Sequence, residues 1–162
     1  GITVQPQGAV GAEVSGVDLN CLDEATLAEL REAHAQYCVL FFRNQQLTPE
    51  AHIALAQGWG EINVNRFFTP VENYPQIAEV RKEPDQKFNI GGGWHTDHSY
   101  DQIPALGSLL YAKEVPTTGG DTLFAGCGAA FDTLSEGIRH LAHFASSPFF
   151  SPCVWPIRSD AG

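Results

Sequence analysis

"GGGWHTDHSY", residues 91–100, is the stretch on which the reading of the whole chain turns. Three glycines, a tryptophan, two histidines and an aspartate share ten positions. On a strand, residues two apart point to the same side, so His95 and Asp97 can bring an imidazole nitrogen and a carboxylate oxygen to one point. That donor pair suits a divalent metal. One further histidine would complete the two-histidine, one-carboxylate set that holds non-haem Fe(II) and leaves positions open. The spacing alone also arises by chance, as a surface histidine beside a turn aspartate. Its flanks weigh against chance, because Gly91 to Gly93 permit close backbone approach and Trp94 points to the opposite face, where it can anchor the strand in a core. The glycines could also cradle a phosphate, but no Lys-Ser/Thr and no clear helix follows to complete that pattern.

Upstream, "VQPQGAVGAEVSGVDLN" spaces its valines with small and turn-forming residues, which predicts short strands and tight turns. From Asp23 the period changes: Leu27, Leu30, His34 and Tyr37 recur at helical spacing, predicting a helix over 23–36 with acidic residues at its favourable end. "CVLFF" then reads as a buried strand. "LTPE" opens a second helix, with Thr48 placed to cap free N–H groups and Pro49 where its missing donor costs nothing; Gly58 and Gly60 are expected to end it. "IAEVRK", "LGSLLYAKEV" and "DTLFAG" are predicted strands, the last two joined by the turn "PTTGG". Residues 128–144 read as helical, with Ser135 a candidate cap. The final stretch, "SSPFFSPCVWPIRSDAG", packs three prolines and clustered aromatics into 17 residues without periodicity, and is expected to be an irregular tail.

The 162 residues are enough for one domain with one hydrophobic core. Nine Lys and Arg against nineteen Asp and Glu give a formal net charge of -10, which repels phosphate backbones and anionic membranes, so neither nucleic acid nor a membrane is an expected partner. No apolar run of about 18 residues could span a bilayer. With no signal-like start and four scattered cysteines lacking a C-x-x-C pair, the chain is expected to be cytoplasmic with buried, reduced thiols.

"GWHTDHSY" followed by "PALGSLLYAKEVPTTGGDTLF" closely resembles the taurine dioxygenase family of Fe(II)- and 2-oxoglutarate-dependent oxygenases. "GAEVSGVDL" and "VLFFRNQQLTPEAHIALAQGWGEI" stand in the order of the N-terminal half of such an enzyme. The resemblance implies a mainly β fold with flanking helices, a double-stranded β-helix or jelly-roll, incomplete at its C-terminus: residues 1–143 as the N-terminal part of a dioxygenase domain and 144–162 as a tail outside the likeness. It implies His95 and Asp97 as two iron ligands, Thr122 of "GGDT" as a hydroxyl on the distal carboxylate of 2-oxoglutarate, and Asn89 as a further polar contact to co-substrate or substrate. The chemistry implied is decarboxylation of 2-oxoglutarate to succinate, driven by dioxygen and coupled to hydroxylation of a small organic substrate. Taurine-specific members place a sulfonate-binding histidine in the loop where this chain has "NVNRFF". Asn63 and Asn65 in that loop point to a different, still anionic substrate.

The second half of such enzymes supplies the distal iron histidine and an arginine for the co-substrate. Neither is recognisable here. His98 lies three positions past His95 and so faces away on a strand, His140 and His143 read as helix residues, and Arg158 sits in an unrelated setting. Two ligands in place of three imply weak metal and co-substrate binding and little oxygenase activity from these 162 residues alone. Unpaired strand edges would favour association with another copy of the chain. The alternatives are a non-catalytic binding or oligomerisation remnant of the same scaffold, and a cupin-like metal-binding domain.

Overall fold

The first β-hairpin sets the frame for everything upstream of the His-x-Asp stretch. In the computed structural model, which describes residues 1–88, 91–97, 101–145 and 154–157 (backbone alone for 142–145 and 154–157), β1 (Thr3–Pro6) pairs antiparallel with β2 (Ala12–Ser15), from Thr3↔Ser15 to Pro6↔Ala12. Helix α1 (Glu24–Tyr37) then carries the chain back, so that β3 (Leu40–Phe42) lies parallel to β2 as the third strand of a sheet ordered β1-β2-β3. A parallel pair needs such a crossover. Asp23 caps α1 by accepting from the Thr26 N–H at 2.7 Å. The helix stops at Cys38, whose φ of 66° leaves the right-handed region.

The chain divides into two compact units. One comprises Gly1–Ile90 and Ser108–Lys113. Its core is Val14, Leu19, Leu30 and Leu55, with Leu30 of α1 wholly buried. Removing that one side chain from water contributes about 1.5–3 kcal/mol. Helix α2 (Pro49–Trp59) begins as its sequence dictates: Thr48 Oγ1 accepts from Ala51 N–H at 3.2 Å and Pro49 opens the first turn. Gly58 does not end this helix but lies inside it. A Cβ there would come 3.0 Å from Leu27 Cδ2, so the glycine is what lets α1 and α2 approach; Gly60 is the C-cap. Strands β4 (Thr69–Val71) and β5 (Tyr74–Glu79) form a second hairpin turning at Asn73, and the Tyr74 hydroxyl donates to Glu50 of α2.

The segment 108–113 is held to this unit by side chains rather than by a ladder. His52 Nε2 hydrogen-bonds the Leu109 carbonyl at 3.1 Å, and the Tyr111 ring stands edge-on to His52. Gln45 ties further segments together. Its Oε1 accepts from Leu19 N–H at 3.0 Å, while its Nε2 donates to the carbonyls of Val17 at 3.1 Å and Arg43 at 3.2 Å.

The other unit comprises Gly91–Gly107 and Glu114–Gly162. In it β6 (Leu123–Gly126) runs directly into α3 (Cys127–Asp132), and α4 (Glu136–Ala145) follows after a short break. The single predicted helix is therefore two. Ser135 does cap the second, its Oγ accepting from Ile138 N–H at 3.4 Å.

Four expectations change. "LGSLLYAKEV" forms no strand, and among the described residues helix outweighs strand, so the fold is mixed α/β with three small sheets and not mainly β. A leucine-rich, apolar segment remains irregular when no neighbour supplies a ladder for its N–H and C=O groups. The tail is not wholly irregular, since β7 (Val154–Ile157) pairs antiparallel with β6, from Leu123↔Ile157 to Gly126↔Val154. The cysteines are not uniformly buried: Cys21 is exposed and Cys38 and Cys127 are half-buried. No helix among the described residues is long and apolar enough to cross a membrane.

Candidate metal centre

Residues 91–97 form no strand; they are a turn followed by irregular backbone. Gly91 starts it in the left-handed region at φ +69°, a conformation that glycine adopts without strain. Trp94, expected to anchor the stretch in a core, is 57% exposed. Without a strand's alternation there is no opposite face for it to be driven into.

His95 and Asp97 meet all the same. His95 Nδ1 lies 2.7 Å from the Gly93 carbonyl oxygen. That oxygen can only accept, so Nδ1 carries the hydrogen of this bond and Nε2 is turned the other way. Nε2 faces Asp97 Oδ1 at 3.2 Å. Neighbouring donors of an octahedral cation with bonds of about 2.1 Å stand about 3.0 Å apart, so this spacing suits two adjacent corners of one coordination sphere. The side chains are 39% and 55% exposed, which leaves them open to a cation and to further ligands. The donor set also fits: one imidazole nitrogen and one carboxylate oxygen are the borderline and hard ligands that Fe(II) takes.

Among the described residues no group of three His, Cys, Asp or Glu side chains is assembled to hold a metal. His98, Asn89 and Arg158 lie outside the described residues. His140 is exposed on α4, and His143 lies on the same helix. Thr122 is exposed immediately before β6, in the unit that contains His95 and Asp97. Asn63 and Asn65 belong to the first unit. Asn63 is exposed, whereas Asn65 is half-buried and shapes its own loop, its Oδ1 accepting from Phe67 N–H at 2.8 Å and Phe68 N–H at 3.1 Å. This Asx turn is one use of asparagine that the residue type alone announces. What sequence reasoning missed is the Gly93 carbonyl: every residue has one, and no side-chain pattern marks the carbonyl that a histidine will choose.

Solved structures define the class. A taurine dioxygenase from Burkholderia xenovorans matches 87% of this chain with a TM-score of 0.75 at 33% identity, the match covering 50% of that chain. AAD-2 in complex with Mn(II) and N-oxalylglycine matches 87% with a TM-score of 0.64 at 31% identity, covering 49% of that chain. The (S)-phenoxypropionate/alpha-ketoglutarate-dioxygenase of Sphingobium herbicidovorans is 34% identical over 153 residues, which are 85% of this chain and 52% of the relative. The fold is thus that of these dioxygenases over the part of each that the chain covers. The chain belongs to the taurine catabolism dioxygenase TauD, TfdA family, whose model matches residues 3–146. It spans about half the length of the relatives it matches.

Proposed function

We propose that the protein acts as an Fe(II)- and 2-oxoglutarate-dependent dioxygenase that hydroxylates a small anionic organic substrate, with His95 and Asp97 as two of the iron's protein ligands. The observation that carries this reading is the 3.2 Å approach of His95 Nε2 to Asp97 Oδ1 in a chain of this family. When bound, the iron couples dioxygen-driven decarboxylation of 2-oxoglutarate to succinate with hydroxylation of a substrate C–H bond. The chain's own part is to hold and orient. Asp97 supplies an anionic oxygen, His95 a nitrogen set by its bond to Gly93, and the remaining histidine and the co-substrate's arginine come from outside the described residues.

Thr122, with its hydroxyl exposed at the start of β6, is the donor assigned to the distal carboxylate of 2-oxoglutarate, and Asn89 a second polar contact. The relative solved with N-oxalylglycine supports a dicarboxylate co-substrate, because that ligand repeats the oxo-acid head and distal carboxylate of 2-oxoglutarate. Relatives are named for a phenoxypropionate, which carries a carboxylate, and for taurine, which carries a sulfonate, and this supports a substrate with an anionic group met by the Asn63–Asn65 loop. The described strands are assigned to a double-stranded β-helix in which residues 1–143 form the N-terminal part. Pairing between copies of the chain is a further part of this reading.

Anaerobic addition of Fe(II) and 2-oxoglutarate to the purified chain tests it. A visible metal-to-ligand charge-transfer band is expected at saturating metal, and its loss in His95→Ala and in Asp97→Ala. No band would favour a non-catalytic remnant of the scaffold, and a band that survives both substitutions would show that His95 and Asp97 do not carry the metal.

A further inference from the structure

We infer that Gly91 is a positioning residue: the bare backbone at 91 and the carbonyl of Gly93 form a seat that sets the His95 imidazole, before any metal arrives, with Nε2 toward Asp97. The inference rests on the reading of His95 and Asp97 as a metal pair, but its geometry is independent of that reading. A Cβ built on Gly91 would lie 3.1 Å from His95 Cε1 and 3.7 Å from Nε2. The first distance is inside the ordinary carbon–carbon contact of about 3.5–4.0 Å.

Cε1 is the ring atom bonded to both nitrogens. A methyl group pressing on it pushes the ring by a few tenths of an ångström, which loosens Nδ1 from the Gly93 carbonyl, at 2.7 Å, or Nε2 from Asp97, at 3.2 Å. Glycine is required at 91 for two separable reasons. One is the positive φ of +69°, which any side chain would strain; the other is the imidazole lying against it. Gly119 shows the cost of the first alone, as a loss of stability, since its φ is +76° with nothing within 4 Å of a Cβ. Gly93 provides the converse control. A Cβ there also meets nothing within 4 Å, and its carbonyl is retained in an alanine variant. Partners that orient a metal-binding histidine typically change metal affinity by about 10–100-fold when lost.

The test uses the 162-residue chain and two readouts. In metal-free wild-type protein, nitrogen-detected NMR should show a hydrogen on His95 Nδ1, bonded to the Gly93 carbonyl. A bare Nδ1 would overturn the seat without any variant being needed. In Gly91→Ala that hydrogen bond should weaken, and the Mn(II) concentration that half-saturates the chain, read by Mn(II) EPR, should rise at least about 10-fold. Gly119→Ala and Gly93→Ala should stay within about twofold of wild type, being free of the collision. Mn(II) binding and an Nδ1 hydrogen bond in Gly91→Ala that match wild type would sink the proposal. Should wild type show the hydrogen on Nδ1 while His95→Ala binds Mn(II) as tightly as wild type by EPR, the seat stands and the metal reading fails.

Discussion

His34 is a residue whose acid–base chemistry is altered by burial. It sits in the last turn of α1, half-buried, with its ring edge-on to Trp59 of α2 at 6.4 Å between centroids. Burial pushes its pKa below the ordinary 6.5, and a hydrogen bond with the Cys38 backbone pulls weakly the other way. Above that ordinary value both folded and unfolded chains hold a neutral ring, so the stability contribution is complete there. As pH falls through 6.5 the unfolded chain takes up the proton first, and stability declines until the lower folded pKa is passed. Urea midpoints of wild type should therefore drop more between pH 8 and pH 5.5 than those of His34→Gln; parallel drops would remove His34 as the cause. At this scale the sequence was legible where chemistry is carried by residue type. His95 and Asp97 were paired by strand periodicity, and they do meet. They meet by another route, however, through a glycine turn and a backbone carbonyl, and Trp94 lost its expected burial together with the strand.

Helices were legible because their ends are written in side chains. Asp23 and the Thr48-Pro49 pair satisfy or remove donors that the first turn cannot use, and the boundaries of α1 and α2 follow within a residue or so. Thr48→Ala removes the oxygen that accepts from Ala51, and should cost about 1 kcal/mol in chemical denaturation. A serine at 48 should restore most of it, whereas an unchanged midpoint in the alanine variant would show that Pro49 alone starts the helix. Strands were less legible, because a strand is a property of two segments. Nothing in "LGSLLYAKEV" states whether a partner will lie beside it, and nothing in a proline-rich tail announced that Val154–Ile157 would pair with Leu123–Gly126. Proline at 156 fits the edge position that a two-stranded sheet offers on both sides.

For the molecule as a whole, burial is unevenly distributed. Every fully buried apolar side chain among the described residues, from Ala12 to Leu55, belongs to the unit built on β1, β2, β3, α1 and α2. In the other unit Trp94, Ile103, Leu106, Val115, Ile138 and Leu141 are all more than half exposed. Local stability follows buried apolar contact, so backbone amides around Leu30 and Val14 should exchange with deuterium far more slowly than those of α3, α4 and the 101–107 segment. Uniform protection across both units would contradict this. Length and composition predict a single hydrophobic core, and cannot foresee how unequally burial is shared between two units, since the same leucines and valines serve a core or a surface according to what lies against them.

Gln45 finally gives the fold a chemical lifetime. Its amide nitrogen donates to two carbonyls, of Val17 and Arg43, while its oxygen receives the Leu19 amide. Hydrolysis of this one amide to a carboxylate, the ordinary ageing reaction of glutamine, would erase both donations and set an anion against two oxygen lone pairs. An aged sample would then loosen first where these three segments join, with its covalent backbone still whole.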